Sequence, residues 1–135
     1  MAKAHRLDEN WVHLGLGASV EPLEPFDGME WYDRYARAHS ADGSEARLVA
    51  QHSFTSDWDM WEMHPQGSEL VLCLEGAITL HQENADGQIT SLALGPGEYA
   101  INPPGVWHTA DVGEWAKVLF ITAGMGTEHR ERSRD

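Results

Sequence analysis

The stretch MWEMHPQGSELVLCLEG, residues 60–76, combines a strand-like alternation with side chains that bind metal ions. Successive side chains of an extended strand point to opposite faces, so Glu62 and His64 share one face. The sequence PQGS at residues 65–68 favours a turn, after which an apolar run begins at Glu69. The stretch therefore predicts two strands joined by a turn, with metal-binding side chains on either side of that turn.

A second stretch, GEYAINPPGVWH at residues 97–108, predicts a strand that ends in a turn and leads to another histidine. Together the two stretches supply two imidazoles and two carboxylates at strand ends. Such ligands suit a divalent ion of Fe, Mn, Zn or Ni, and the sequence does not distinguish among these metals. The ligands predicted for one divalent ion are Glu62, His64, Glu69 and His108.

Two alternatives concern Glu62. If Glu62 is not a ligand, two imidazoles and one carboxylate remain, which is the set found in non-haem iron enzymes. Glu62 is then a free carboxylate beside the ion, placed to act as a general base. In the other alternative the site holds no metal, and Glu62 hydrogen-bonds to His64 or to a backbone group. We favour metal binding, because a glutamate is itself a competent ligand.

The two stretches resemble the paired sequence motif of the cupin superfamily, and the resemblance covers about half of the chain. In the first stretch, four residues separate His from Glu, and six more precede a Gly. In the second, five residues separate Gly from Pro, one more precedes a Gly, and two more precede His. The motif positions are occupied by His64, Glu69, Gly76, Gly97, Pro103, Gly105 and His108.

The sequence departs from the cupin pattern at two positions. The first motif of the family opens with His-x-His, and Glu62 occupies the first of these two histidine positions. The second motif usually continues to an Asn four residues after its His, and Val112 occupies that place. The first departure changes the expected donor set from three imidazoles and one carboxylate to two of each.

The resemblance implies an all-β fold, a jelly-roll barrel with one metal ion in its mouth. The usual repertoire of the family implies a metal-dependent dioxygenase or isomerase that acts on an unidentified small molecule. A non-catalytic barrel that binds or senses a small molecule or a metal is the alternative, because a fold does not determine a function. Proteins of this kind commonly pair through an apolar strand such as residues 70–74, which implies a two-fold homodimer.

The organisation of the chain indicates one domain, residues 1–135, whatever its family. Short strand-like runs separated by Gly and Pro are typical of a sandwich or a barrel, and we expect the barrel at residues 47–124. Residues 1–46 are expected to form an N-terminal arm that includes a helix at 29–39, where apolar residues recur at helical spacing. Residues 125–135 are a polar tail that we expect to be frayed from Gly126.

The net charge and the lengths of the apolar runs disfavour some classes of binding partner. The formal net charge of -13 disfavours nucleic acid and anionic membrane surfaces, which select basic proteins. The chain has no apolar run that approaches the ~20 residues of a transmembrane helix, and its first residues lack the apolar core of a secretory signal. We therefore expect a cytoplasmic protein. The one cysteine, Cys73, lies in an apolar strand and predicts a buried, inert thiol.

Further side chains are candidates for a substrate pocket, although the interior of a small barrel is mostly filled by packed side chains. Met60 shares the strand parity of Glu62, and the others lie on strands expected to border the site or next to a ligand. The pocket candidates are Met60, Tyr99, Trp107 and Phe120. The aromatic stripe on the predicted helix, which includes Tyr32 and Tyr35, is interpreted as packing, and His13 is expected to be exposed.

Overall fold

The computed structural model describes residues 2–133, and most of its regular structure is β-strand. One helix, α1, spans Glu30–His39, and short 3-10 turns lie at Leu16–Ala18 and Ser40–Glu45. The strands of the described region are β1 (Val12–Leu14), β2 (Val20–Pro22), β3 (Arg47–Phe54), β4 (Met60–Met63), β5 (Glu69–Gly76), β6 (Ile78–Glu83), β7 (Ile89–Leu94), β8 (Tyr99–Asn102), β9 (Trp107–Asp111), β10 (Ala116–Thr122) and β11 (Glu128–Glu131).

The strands form two antiparallel sheets that share one core. The first sheet has the order β2-β1-β3-β10-β5-β8, and the second has the order β11-β4-β9-β6-β7. Buried side chains from both sheets, such as Val71 of β5 and Leu80 of β6, belong to one apolar cluster. This architecture confirms the predicted all-β fold with one short helix. No helix within residues 2–133 is long and apolar enough to cross a membrane.

Strand β5 shows how the alternation of side chains builds the core. Glu69, Val71 and Cys73 are buried on one face, whereas Leu70 and Leu72 are half-buried on the other. Cys73 is a free, buried cysteine, as predicted from the sequence, and burial is the main cause that raises the pKa of its thiol. The inner face of β5 therefore carries an apolar core at one end and a carboxylate at the other.

The turn between β5 and β6 depends on a glycine. Gly76 has a φ of +75°, a conformation that residues with a side chain rarely adopt. A Cβ atom at this position would also collide with the carbonyl oxygen of Trp115, which belongs to the segment leading into β10. The position therefore requires glycine for two independent reasons.

The N-terminal arm packs on the first sheet through its own aromatic cluster. Strand β1 pairs with both β2 and β3, and the indole N–H of Trp11 donates a hydrogen bond to the carbonyl oxygen of Gln51, at 3.2 Å. On α1, Trp31 and Tyr35 lie one turn apart and stack with ring centroids separated by 5.3 Å. The helix occupies 30–39, within one residue of the predicted range.

Two expectations are wrong, one about the exposure of a histidine and one about the fraying of the tail. His13 is buried, because α1 and the turn that follows it cover β1, and its ring nitrogens lie 2.7 Å from the Tyr35 hydroxyl and from the Asp42 carboxylate. The polar tail is not frayed from Gly126, because Glu128–Glu131 form strand β11 along the edge of β4. Both corrections arise from contacts between segments distant in sequence, which local polarity does not predict.

Candidate metal centre

The site lies where β4, β5 and β9 bring their acidic and imidazole side chains together. Glu62 on β4 is paired in register with His108 on β9, and His64 follows the end of β4. One ligand atom of each of these three residues lies within 4.8 Å of the other two. Glu69, the first residue of β5, has carboxylate oxygens 3.2 Å from the Nε2 atoms of His64 and His108.

The hydrogen bond of His64 fixes which ring nitrogen is free. The hydroxyl of Thr127 donates its proton to the carbonyl oxygen of Gly124, at 2.7 Å. Its oxygen, 2.8 Å from Nδ1 of His64, must therefore accept a proton from the ring. In a neutral imidazole held in this way, Nε2 carries a lone pair that points into the site.

His108 reaches the same tautomer through the backbone. Its Nδ1 lies 3.3 Å from the carbonyl oxygen of Val106, which can only accept a hydrogen bond. Nδ1 is therefore the donor, and Nε2 again carries the lone pair. The buried Nε2 atoms of His64 and His108 have no aligned hydrogen-bond partner within residues 2–133, despite their proximity to Glu69.

Glu69 is held by neutral donors from two other strands. The Asn102 side chain on β8 donates to Oε1 at 2.9 Å, and the Thr122 hydroxyl on β10 donates to Oε2 at 2.6 Å. Gln82 on β6 in turn donates to the Asn102 side-chain oxygen at 2.7 Å, which fixes the orientation of the amide. These contacts place the carboxylate before any ion binds.

This donor set suits a cation. Two buried lone pairs face a carboxylate that is already supplied with hydrogen bonds, and the second carboxylate, Glu62, lies beside them. Such an arrangement is unfavourable without a positive charge, because buried acceptors and charges require partners. Imidazole Nε2 and carboxylate oxygen are also the donors that divalent transition metals take. Glu62, His64 and His108 therefore form a candidate metal site, with Glu69 in contact with both imidazoles.

The pKa values of the site reflect two carboxylates and two imidazoles that share one buried pocket. Burial, and then repulsion from Glu69, raise the pKa of Glu62 above its ordinary value. Burial alone would raise the pKa of Glu69, but the neighbouring imidazoles of His108 and His64 lower it instead. Burial alone would lower the pKa of His64, but the carboxylates of Glu69 and Glu62 raise it. A divalent ion in this pocket would offset the repulsion between the two carboxylates.

A tyrosine that was not assigned to the site from the sequence lies near these carboxylates and contacts a histidine of β3. The hydroxyl of Tyr32 on α1 lies 3.3 Å from Nε2 of His52 on β3. Burial, and then the charges of Glu62 and Glu69, raise the pKa of Tyr32, so its hydroxyl stays protonated. Tyr32 was interpreted as packing because helical spacing does not show that α1 lies against the strands of the site.

The pocket candidates separate into two groups. Phe120 is buried and shares its strand face with Thr122, which hydrogen-bonds to Glu69. Met60 is half-buried and keeps the parity of Glu62. The structure does not bring Tyr99 or Trp107 to the site. Tyr99 alternates with buried neighbours on β8 and is 60% exposed, and Trp107 precedes His108 and points to the opposite face.

Several residues that contact the candidate ligands were not predicted from the sequence. Asn102, Thr122 and Thr127 hydrogen-bond to Glu69 or His64, and Nε2 of His129 lies 3.9 Å from Oε1 of Glu62. Only Asn102 carried a usable signal, because it ends a predicted strand directly before the PPG turn. The other contacts come from the last strands of the chain, and no spacing rule relates those strands to the motif.

Comparisons with known proteins identify the fold. No family model and no curated protein matches the sequence. Among solved structures, peruvianin-I, a cysteine peptidase from Thevetia peruviana latex, matches with a TM-score of 0.54 and 23% identity over 64% of this chain and 57% of its own. An oxalate oxidase matches with a TM-score of 0.52 and 18% identity over 60% of this chain and 44% of its own.

A third match is the hydroquinone 1,2-dioxygenase PnpCD, with a TM-score of 0.50 and 13% identity over 56% of each chain. The alignments thus span about half the length of these neighbours. The three proteins are a peptidase, an oxidase and a dioxygenase, so at these identities the similarity concerns the fold and not the activity. The two antiparallel sheets of this chain are thus shared with these solved structures, and this fold agrees with the jelly-roll barrel that the resemblance to the cupin motif implied.

Proposed function

We propose that this protein binds one divalent metal ion through His64, His108 and the carboxylates of Glu62 and Glu69. We further propose that it is a metal-dependent enzyme of the dioxygenase or isomerase class that acts on a small molecule. The observation that supports this proposal is the pair of buried, unpartnered Nε2 atoms that face the two carboxylates. An oxidase and a dioxygenase among the fold neighbours agree with it.

The side chains around the site suggest how they would serve such a reaction. A bound divalent ion polarises an oxygen atom of its ligand and so makes a neighbouring proton more acidic. Glu62, whose pKa is raised, is the candidate base for that proton. The protonated hydroxyl of Tyr32 is a candidate donor near the two carboxylates. Phe120 is buried with its ring centroid 6.0 Å from that of His52, and it is a candidate apolar contact for the substrate.

The first test is metal analysis of protein purified without an affinity tag or a chelator. We expect about one metal ion per chain in the wild type and loss of that ion in His64→Ala and His108→Ala, because each variant removes one imidazole donor. His81→Ala is the matched control, since His81 pairs with Ser91 and Asp111 and not with the site. Wild-type metal content in either site variant would contradict the proposal.

The role of Glu62 is tested separately with Glu62→Gln, which keeps the shape of the side chain and removes its charge. Weaker metal binding would assign Glu62 to the ligands. Unchanged metal binding with loss of turnover would assign it to proton transfer. Oxygen consumption in the presence of small-molecule libraries supplies the activity measurement for the dioxygenase class.

A second candidate function is a non-catalytic barrel that binds or senses a metal. It is favoured by the number of protein donors, because Glu62, His64, Glu69 and His108 could by themselves fill the four positions of a tetrahedral ion. A catalytic ion keeps one position open for substrate. Tightly held zinc that binds no added anion would support the sensor, whereas redox-active iron with oxygen consumption would support the enzyme.

A further inference from the structure

We propose that residues 124–131 form a clasp that sets the metal affinity of the site by holding His64 and by closing the edge of β4 beside Glu62. The clasp consists of the turn at 124–127 and strand β11, and it is the segment that sequence polarity had predicted to be frayed. The inference rests on the proposed metal site and adds to it a structural element that is remote from the cupin motif.

The turn of the clasp positions the imidazole of His64. The Thr127 hydroxyl donates to the carbonyl oxygen of Gly124 at 2.7 Å and accepts from Nδ1 of His64 at 2.8 Å. Gly126 has a φ of +78°, and a Cβ atom there would lie 3.3 Å from Cγ of Pro65, directly after His64. The turn thus folds against the residues that carry the imidazole and selects its Nδ1–H tautomer.

Strand β11 has one face toward the site and one face away from it. His129 is paired in register with Glu62, and its Nε2 lies 3.9 Å from Oε1 of that carboxylate. Arg130 is paired with Trp61 and points to the opposite face. Alternate side chains of one short strand therefore serve two roles, contact with the site and attachment to the sheet.

The attachment is built from several contacts that do not touch the metal site. The guanidinium of Arg130 lies 4.7 Å from the ring centre of Trp107 and 5.2 Å from that of Trp61. It also donates to the carboxylate of Glu83 at 2.8 Å. After the strand, Arg132 donates to the carbonyl oxygen of Trp58 at 2.9 Å and to Asp111 at 2.8 Å.

These contacts couple the clasp to the ion in both directions. A metal ion on Nε2 fixes the ring of His64, and the fixed ring favours the docked position of Thr127. By thermodynamic linkage, the two effects have the same size. Detachment of the clasp lowers the metal affinity by the same factor by which loss of the metal lowers the equilibrium constant for docking of the clasp. A partner that orients a ligating histidine is worth about 10- to 100-fold in metal affinity.

The first experiment measures the affinity for Co²⁺ and the visible absorption of bound Co²⁺ in full-length protein. Thr127→Val keeps the shape of the side chain but removes the acceptor, and we expect its affinity to fall about 10- to 100-fold with an altered spectrum. Thr127→Ser keeps the hydroxyl and should restore both. Wild-type affinity and spectrum in Thr127→Val would overturn the assignment of Thr127 as a positioning residue.

The second experiment separates the clasp from direct contact with the site. Arg130→Ala removes the attachment on the outer face, and we expect weaker Co²⁺ binding and faster amide hydrogen exchange in residues 126–131. Glu128→Ala is the control, because Glu128 is exposed on the same strand. Faster exchange in Arg130→Ala with unchanged Co²⁺ affinity would overturn the coupling.

The outcomes also distinguish the clasp from the metal site itself. If the wild type binds no Co²⁺, the proposed metal site fails and the clasp fails with it. If the wild type binds Co²⁺ and both Thr127→Val and Arg130→Ala bind it equally tightly, the proposed metal site is supported and only the proposed clasp is contradicted. Protection of residues 126–131 from exchange when Co²⁺ is added to the wild type would support the coupling directly.

Discussion

At the scale of single residues, strand alternation predicts which side chains share a face but not what orients them. The parity of Glu62 and His64 follows from sequence alone, as does the turn that leads to Glu69. The partners that fix these groups lie far away in sequence, because Thr127 is 63 residues from His64 and Asn102 is 33 residues from Glu69. Only the folded sheets bring them together, so the assignment of all four side chains as ligands stays a prediction.

Asn102→Leu tests the hydrogen bonds that hold Glu69. The variant keeps a similar volume but removes the donor to Oε1 of Glu69 and one of the two acceptors of the Gln82 amide, which also donates to the carbonyl oxygen of Ile101. We expect the free energy of unfolding of the metal-free protein to fall by about 1–3 kcal/mol, the cost of an unsatisfied buried polar group. Urea denaturation checks this, with Gln66→Leu as the control because Gln66 is exposed in a turn. Equal stability of both variants would contradict it.

Asp111 gives a prediction about pH. Although partial burial opposes it, hydrogen bonds from Arg132 and His81 lower the pKa of Asp111 below its ordinary value of 3.8. A lowered folded-state pKa means that the contribution to stability is present above the ordinary pKa and is lost as pH falls through the lowered one. Asp111 is partly exposed, so Asp111→Asn should cost no more than about 1 kcal/mol at neutral pH.

The measurement is the free energy of unfolding of wild type and Asp111→Asn at about pH 7 and about pH 3. The difference between the two proteins should shrink at the acidic pH, because protonation removes the charge from Asp111 in the wild type as well. A difference that grows on acidification would show that the sign of the shift is wrong.

At the scale of elements, the strands and their turns follow from local sequence, whereas the placement of the helix and the last strand does not. Gly and Pro residues between the apolar runs predicted short strands, and the helical spacing of apolar residues predicted α1. The docking of β11 depends on Arg130 stacking on Trp61 and Trp107, which come from β4 and β9. A short polar segment contains no signal for such aromatic partners, so its strand conformation could not be predicted.

The hairpin between β5 and β6 supplies a prediction at this scale. Gly76→Ala should destabilise the protein by about 1–3 kcal/mol, because an alanine would be held at positive φ and would press against the Trp115 carbonyl. Gly113→Ala is the matched control, since a Cβ atom at that position meets no other atom within 4 Å. Thermal and urea unfolding measure both variants, and equal stability would contradict the steric argument.

At the scale of the whole molecule, the outer face of the first sheet exposes a group of neighbouring apolar side chains. Tyr99 and Ile101 on β8 are 60% and 54% exposed, and they lie beside the half-buried leucines Leu70 and Leu72 of β5. This face supports the proposal of a two-fold homodimer that pairs through these strands, since exposed apolar patches of this kind mark interaction surfaces.

Sedimentation equilibrium tests the homodimer. We expect twice the mass of one chain for the wild type and a single-chain mass for Ile101→Lys, because a lysine at the centre of the face would place an unpaired charge in the interface. Ile89→Lys is the control, since Ile89 is 55% exposed on β7 in the other sheet. A wild type that sediments as a single chain would exclude the dimer.

The position of Arg130 between two indole rings has a further, optical consequence. Trp61 is 8% exposed while β11 covers it, so its emission should be that of a shielded indole. Release of the strand would expose this ring to water and shift its fluorescence to longer wavelength. The protein thus contains its own spectroscopic reporter. Binding or loss of a metal ion at the site should shift the wavelength of maximum tryptophan emission, without any added dye.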